Sequence, residues 1–459
     1  MPKTFDAIII GTGQAGPSLA ARLVGAGMNV AVIEKDKFGG TCVNNGCTPT
    51  KTLVASAYAA HLARRAADYG VELDGPVRVD MQKVKARKDA VAERSTKGVD
   101  GWMRGLKSGT VYQGHARFTG PRTVRVGDEE LTADKIFLNV GGRALVPKMP
   151  GIESVPFLTN ESIMDVDFLP EHLVIVGGSY IGLEFGQMYR RFGSRVTIVE
   201  MGPRLVGRED ADVSEAIREF LEAEGVEVRT GAECLSVEKE GAGFSIGLEC
   251  ADGAPRVSGS HLLLAVGRKP NTDDLGLEAA GIKTDARGYV EVDEGLRTSN
   301  EQVWALGDCN GKGAFTHTSY NDYEIVADNL LAGGNRKWTD RISIYGLFVD
   351  PPLGRVGMNA AEIQRAGFKA LVGKRPMTRV ARAVEKGETK GFLKVYVEAE
   401  SKRILGASLL GLNADEVVQS LVEAVYARTP YTEVQHHVRI HPTVGELVLT
   451  TMESLEVLA

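Results

Sequence analysis

The stretch FDAIIIGTGQAGPSLAARLVGAGMNVAVIEK, Phe5 to Lys35, decides how this chain is read. A short apolar run leads into Gly11, Gly13 and Gly16, spaced G-x-G-x-x-G. A helical pattern and a second apolar run ending at Glu34 follow. In such a strand–turn–helix, the first glycine permits the tight turn and the second lets a pyrophosphate approach the backbone. The third lets helix and strand pack closely, and the helix N-terminus faces the phosphates. Glu34, about 20 residues further on, can accept from a ribose hydroxyl. The stretch predicts a dinucleotide-binding unit.

The same grammar returns in HLVIVGGSYIGLEFGQMYRRFGSRVTIVE, His172 to Glu200. Gly177 and Gly182 take the first and third positions and Ser179 the middle one, where a small side chain still allows close approach. Glu200 closes the second strand as Glu34 closes the first. An acid there suits a free 2′-hydroxyl and repels a 2′-phosphate, which favours NADH over NADPH; Arg204 partly offsets that preference. Two such units in one chain imply electron traffic between two cofactors. A third segment, TSNEQVWALGD, reads as a strand with Asp308 at its carboxyl end, placed to hold a flavin ribityl or phosphate-side hydroxyl.

The 459 residues are too many for one core and predict several domains. The net charge of −6 gives no reason to expect a nucleic-acid or anionic-membrane partner. The basic run Lys83 to Arg104 is broken by acids and reads as a solvated helix face. No apolar run approaches the ~20 residues that span a bilayer, and the start MPKTFDAIIIGTG lacks the pattern of a signal peptide. A cytoplasmic protein is expected. Five cysteines in this length are not a secreted disulfide framework.

Two of those cysteines stand together in GGTCVNNGCTPTK, Gly39 to Lys51. Cys42 and Cys47 invite two readings, a zinc-ligand pair and a reversible disulfide. The segment follows Glu34 by a short loop, which predicts a position beside the bound dinucleotide. The spacing is read as one helical turn carrying both sulfurs on one face.

Together these motifs resemble the flavoprotein pyridine nucleotide–disulfide oxidoreductases, over nearly the whole chain. GGTCVNNGCTPTK resembles the family's redox segment, VIVGGSYIGLEFG its NAD turn, WALGD its second FAD motif and RIHPTVGELV its His-x-x-x-x-Glu segment. FTHTSYNDYEIV, PPLGRVGM, ARAVEKGETKGFLKV and ILGASLLG are similar to the mercuric-reductase branch and reactive-chlorine-resistance flavoproteins. The chain departs from true mercuric reductases in ending TTMESLEVLA, without a C-terminal cysteine pair, and in having no N-terminal C-x-x-C module. Mercury is therefore demoted as natural substrate.

The resemblance implies FAD and NADH as cofactors and no metal. Zinc becomes the weaker reading, since Cys234, Cys250 and Cys309 are scattered singly and read as small buried hydrophobes. Cys47 is then the flavin-side thiolate and Cys42 the interchange thiol that attacks the acceptor. Lys51 pairs with Glu184 at the flavin, and Tyr180 matches an aromatic gate. His441 and Glu446 form an acid–base dyad contributed by the partner subunit of a homodimer.

The expected fold class is α/β, with two Rossmann-like dinucleotide-binding domains and a C-terminal α+β dimerisation domain. The FAD domain takes residues 1–146 and 268–336, the NAD(P) domain 147–267 and the dimerisation domain 337–459. The expected activity passes electrons from NADH through FAD and the thiol pair to a small acceptor: a disulfide, an oxidant such as hypothiocyanous acid, or a metal ion. The alternatives are a dihydrolipoamide dehydrogenase component of a multienzyme complex and a flavin NADH oxidase or diaphorase.

Overall fold

The computed structural model describes residues 2–250 and 253–458. Its first sheet grows from the opening stretch. Strand β1 (Lys3–Ile10) and strand β2 (Val30–Glu34) flank helix α1 (Ala15–Gly25), and β2 is buried at all five positions. That burial is why VAVIE reads as a continuous apolar run: a parallel strand covered on both faces has no solvent side to alternate with. Ala15, Leu19 and Leu23 recur at helical spacing along the face α1 turns to the sheet.

Helices α2 (Gly40–Asn44), α3 (Cys47–Arg64) and α4 (Met81–Arg104) leave the sheet before it resumes. The Asp80 carboxylate caps α4 by accepting from the Lys83 backbone N–H. Strands β3 (Gly109–Gln113), β4 (Ala116–Gly120), β5 (Thr123–Val126) and β6 (Glu129–Leu138) complete the order β3-β2-β1-β6-β5-β4. Much later in sequence, Val303–Ala305 adds parallel to β6 and delivers Asp308 to the strands' carboxyl ends.

A second parallel sheet of five strands contains His172–Val176 and Arg195–Val199 around helix α5 (Tyr180–Phe192). A three-stranded antiparallel meander, Ala232–Gly259, covers it. A short ribbon pairs Gly142–Ala144 with Arg268–Pro270 where the chain leaves the first sheet and returns to it. The C-terminal part is a six-stranded antiparallel sheet in which Phe392–Glu398 and Ile404–Leu410 form a hairpin. Two short helices, Ala414–Val417 and Gln419–Tyr426, meet at Val418. No helix among the described residues is long and apolar enough to cross a membrane.

Candidate active site

A cavity of about 930 Å³ runs from Gly11, Gly13 and Glu34, past Asp308, to Cys42, Cys47, Lys51, Tyr180 and Glu184. Most of the site residues predicted from the first glycine motif and the redox segment thus line one space. Gly177, Ser179, Gly182 and Glu200 lie outside this lining, in the turn, at the start of α5 and just past the strand Arg195–Val199 of the second sheet's unit.

The glycine turn is shaped by contacts no side chain could share. A Cβ on Gly11 would lie 2.3 Å from the Asn139 carbonyl, and one on Gly16 would lie 2.3 Å from the Gly11 carbonyl. Gly11 also has φ +100°, which only glycine adopts freely. Asn139 Nδ2 donates to the Gly13 carbonyl at 3.0 Å, binding the end of β6 to the turn. Asn139 escapes a reading of the sequence, because an apolar strand running into glycines gives no hint of its role.

Glu34 uses its carboxylate structurally as well. Oε2 accepts from the N–H (2.9 Å) and hydroxyl (2.6 Å) of Thr12, and Oε1 from the Asp36 N–H at 3.0 Å. Glu200 repeats the pattern with the N–H groups of Gly178 and Gly202, both at 2.6 Å. Each acid therefore ties the strand end to its own glycine turn. In the second turn a Cβ on Gly177 would lie 2.4 Å from the Ala265 carbonyl and one on Gly182 would lie 2.0 Å from the Gly177 carbonyl, while one on Gly178 would lie 2.8 Å from the Glu200 Cβ. Ser179 sits beyond it in extended backbone as the N-cap of α5.

The redox segment departs from the single helical turn. Cys42 belongs to α2 and Cys47 is the first residue of α3, with Asn45 and Gly46 breaking the helix between them. A Cβ on Gly46 would lie 2.7 Å from the Thr41 carbonyl, so the break needs glycine. A gap of five positions would overshoot one 3.6-residue turn, and the break is what turns the two thiols toward each other. The Cys42 thiol donates to Cys47, which lowers Cys47 to about 6 and raises Cys42. Thr316 Oγ1, 3.2 Å from Cys47 Sγ, and the nearby Lys51 ammonium add to the lowering. The negative charge therefore rests on Cys47.

Lys51 Nζ lies 2.6 Å from Glu184 Oε2 and 4.4 Å from the centre of the Phe348 ring. The other Glu184 oxygen accepts from the Phe348 N–H at 3.0 Å. Tyr180, first residue of α5, packs its ring 5.6 Å from Phe315. Burial lifts Asp308 above the ordinary carboxylate range, opposed by the Arg268 guanidinium 3.5 Å away.

His441 and Glu446 meet: Nδ1 lies 3.0 Å and 3.1 Å from the two carboxylate oxygens. Neither lines the cavity holding the thiols, and the His441 side chain is 74% exposed beside exposed Val438 and Ile440. Of the remaining cysteines, Cys309 is fully buried, but Cys234 and Cys250 are only half-buried in the meander, contrary to the reading of all three as core residues. Among the described residues no group of three or more His, Cys, Asp or Glu is gathered as a metal site.

With this geometry in view, the chain belongs to the pyridine nucleotide-disulphide oxidoreductase family: residues 5–322 match it, and residues 345–452 match the family's dimerisation domain. The family is FAD-dependent and uses NAD(P)H. The chain is 34% identical over 450 residues to the probable pyridine nucleotide-disulfide oxidoreductase RclA of Escherichia coli, covering 96% of this chain and 97% of the relative. It is 33% identical to the dihydrolipoyl dehydrogenase of Thermus scotoductus, covering 99% and 98%. Among solved structures it resembles the Cu(II) complex of the HOCl-induced flavoprotein disulfide reductase RclA from Escherichia coli, at TM-score 0.90, 33% identity and 99% coverage of both chains.

The residues present fit FAD. The cavity has the length from a glycine turn with an acid to a thiol pair with a lysine, and the close contacts at Gly11 and Gly16 keep the turn bare for a pyrophosphate.

Proposed function

We propose that this chain is an NADH-dependent flavin disulfide reductase whose Cys42–Cys47 pair hands electrons to a small acceptor. The observation that carries this reading is the Cys42–Cys47 thiol pair lining the cavity of the first glycine turn beside the Lys51–Glu184 ion pair. Residues Gly11, Gly13, Gly16, Glu34 and Asp308 would hold FAD, which supplies two-electron transfer between a nicotinamide and a dithiol. Gly177, Ser179, Gly182 and Glu200 would hold NADH, with Tyr180 as a movable ring at the cavity. On this reading residues 1–146 and 268–336 form the FAD domain, 147–267 the NAD domain and 337–459 the dimer face of a cytoplasmic homodimer.

Each side chain then has a task. Lys51 keeps a positive charge at the cavity wall and is itself kept in place by Glu184. Cys42, whose thiol holds its proton more tightly than Cys47, needs a base before it can attack an acceptor. His441 is that base, delivered by the partner subunit, and Glu446 keeps the proton on Nδ1 so that Nε2 is free to accept. The exposure of the dyad in one chain, beside bare Val438 and Ile440, supports a face that a second copy covers.

The acceptor is a disulfide, a reactive oxidant such as hypothiocyanous acid, or a metal ion. The Cu(II) complex of the similar RclA structure favours including the metal ion. Turnover with NADH against lipoamide, glutathione disulfide, hypothiocyanous acid, Cu(II) and Hg(II) tests the reading. Lipoamide as the sole good acceptor would assign the dihydrolipoyl dehydrogenase alternative, and rapid oxygen consumption without any of them the NADH oxidase.

A further inference from the structure

One group at the reacting sulfur has no task in the scheme so far. Thr316 reaches Cys47 from far along the chain, as the first residue of the helix Thr316–Leu331, with Oγ1 at 3.2 Å from Sγ. Against a thiolate a hydroxyl has one role, that of donor, because the sulfur has no hydrogen to give. Thr316 opens this 16-residue helix, so the contact comes from the helix's first turn, where partial positive charge favours an anion.

The flanking residues keep Thr316 in place. Phe315 lies parallel to Tyr345 (5.6 Å, 4°) and to His317 (5.3 Å, 8°). The Tyr345 hydroxyl donates to Glu209, a buried carboxylate 3.4 Å from the Arg355 guanidinium. His317 Nε2 donates to the Ile344 carbonyl at 2.7 Å. Thr316 thus sits between two anchored rings, which fix its backbone beside Cys47.

We infer that Thr316 is a further catalytic residue of the thiol pair: its hydroxyl donates to the Cys47 sulfur and holds it as a thiolate, while Phe315 and Tyr345 are positioning residues that keep it on the sulfur. The inference rests on the disulfide-reductase reading above and adds a residue to it. No electron moves in this step; a proton is withheld from Cys47.

The test uses the FAD-loaded Cys42→Ser protein reduced with dithiothreitol, in which Cys47 is the reacting thiol of the pair and the introduced serine keeps a hydroxyl donor beside it. The rate of iodoacetamide alkylation of Cys47, followed by mass spectrometry across pH, reads the thiolate directly. The parent should titrate well below the ordinary thiol value of about 8.5. Thr316→Val, of nearly equal shape, should move the midpoint up and slow alkylation below the parent midpoint about tenfold, the loss expected for one hydrogen bond to a charged group. Thr316→Ser should restore the parent profile. Tyr345→Leu should shift it in the same direction by less. An unchanged midpoint in Thr316→Val, with FAD content and thermal midpoint intact, overturns the role of Thr316. An unchanged Tyr345→Leu overturns the positioning by the stack. A parent midpoint near about 8.5 overturns the thiolate and the role of Thr316 with it, whereas wild-type protein whose Cys42–Cys47 disulfide NADH does not reduce overturns the disulfide-reductase reading, so the two failures are told apart.

Discussion

Lys51 Nζ and Glu184 Oε2, 133 positions apart in sequence, stand 2.6 Å from each other and join α3 of the first sheet's unit to α5 of the second. Glu184 is the more enclosed partner, with a side chain 7% exposed against 33% for Lys51. Removing Lys51 leaves a buried carboxylate with the Phe348 N–H as its remaining donor, so Lys51→Met should destabilise the protein by about 1–3 kcal/mol. Glu184→Gln should cost less, since an amide oxygen still accepts from Phe348. Thermal unfolding of the two variants checks the order, and equal midpoints would contradict it.

The thiolate on Cys47 has a pH signature. Its folded-state value of about 6 lies below the ordinary thiol value of about 8.5. Its contribution to stability is therefore fully present above the unfolded value and is lost as pH falls through about 6. With both proteins reduced, the advantage of wild type over Cys47→Ser in thermal midpoint should be largest near about pH 9 and shrink toward about pH 6. A difference that grows as pH falls would show the thiolate placed on the wrong sulfur.

Glu200 should matter for both turn geometry and cofactor choice. Glu200→Ala removes the acceptor for Gly178 and Gly202 together with the charge that disfavours a 2′-phosphate. The expected kinetics are a raised KM for NADH and a narrowed gap between NADH and NADPH in kcat/KM. A wild-type enzyme preferring NADPH tenfold, ~1.4 kcal/mol, would sink the assignment.

The dyad makes the sharpest demand on quaternary structure. His441→Ala should slow oxidation of the dithiol by the acceptor by ~10²–10⁴-fold while NADH still reduces the protein normally. Glu446→Ala should cost less, because it removes orientation and leaves the base. Mixed dimers of inactive Cys42→Ser and inactive His441→Ala subunits carry one intact site and should regain part of the activity. Mixed dimers that form and stay inactive exclude the shared site.

Much of this is legible in the sequence because glycine turns and redox segments are local. The spacing of Gly11, Gly13 and Gly16 with Glu34 falls within one short stretch, and the parallel sheet forms around it as that spacing requires. What stays hidden is made by distant residues. Thr316 and Cys47 are 269 positions apart, and no periodicity links them. Asn139 becomes meaningful only when β6 lies beside β1 and brings its amide to the Gly13 carbonyl. The helix break at Asn45–Gly46 is local yet contradicts the one-turn reading of the cysteine spacing, because Gly46 reserves its backbone for contact with Thr41.

Cys42 and Cys47 should form a disulfide that NADH reduces. Anaerobic titration of the FAD-loaded, oxidised protein with NADH, followed by counting alkylated thiols in the denatured chain, measures it directly. Two electrons should be taken up beyond those of the flavin, with Cys42 and Cys47 both becoming newly alkylated. Uptake that stops at the flavin's own two electrons, with no new thiol at either position, would contradict it.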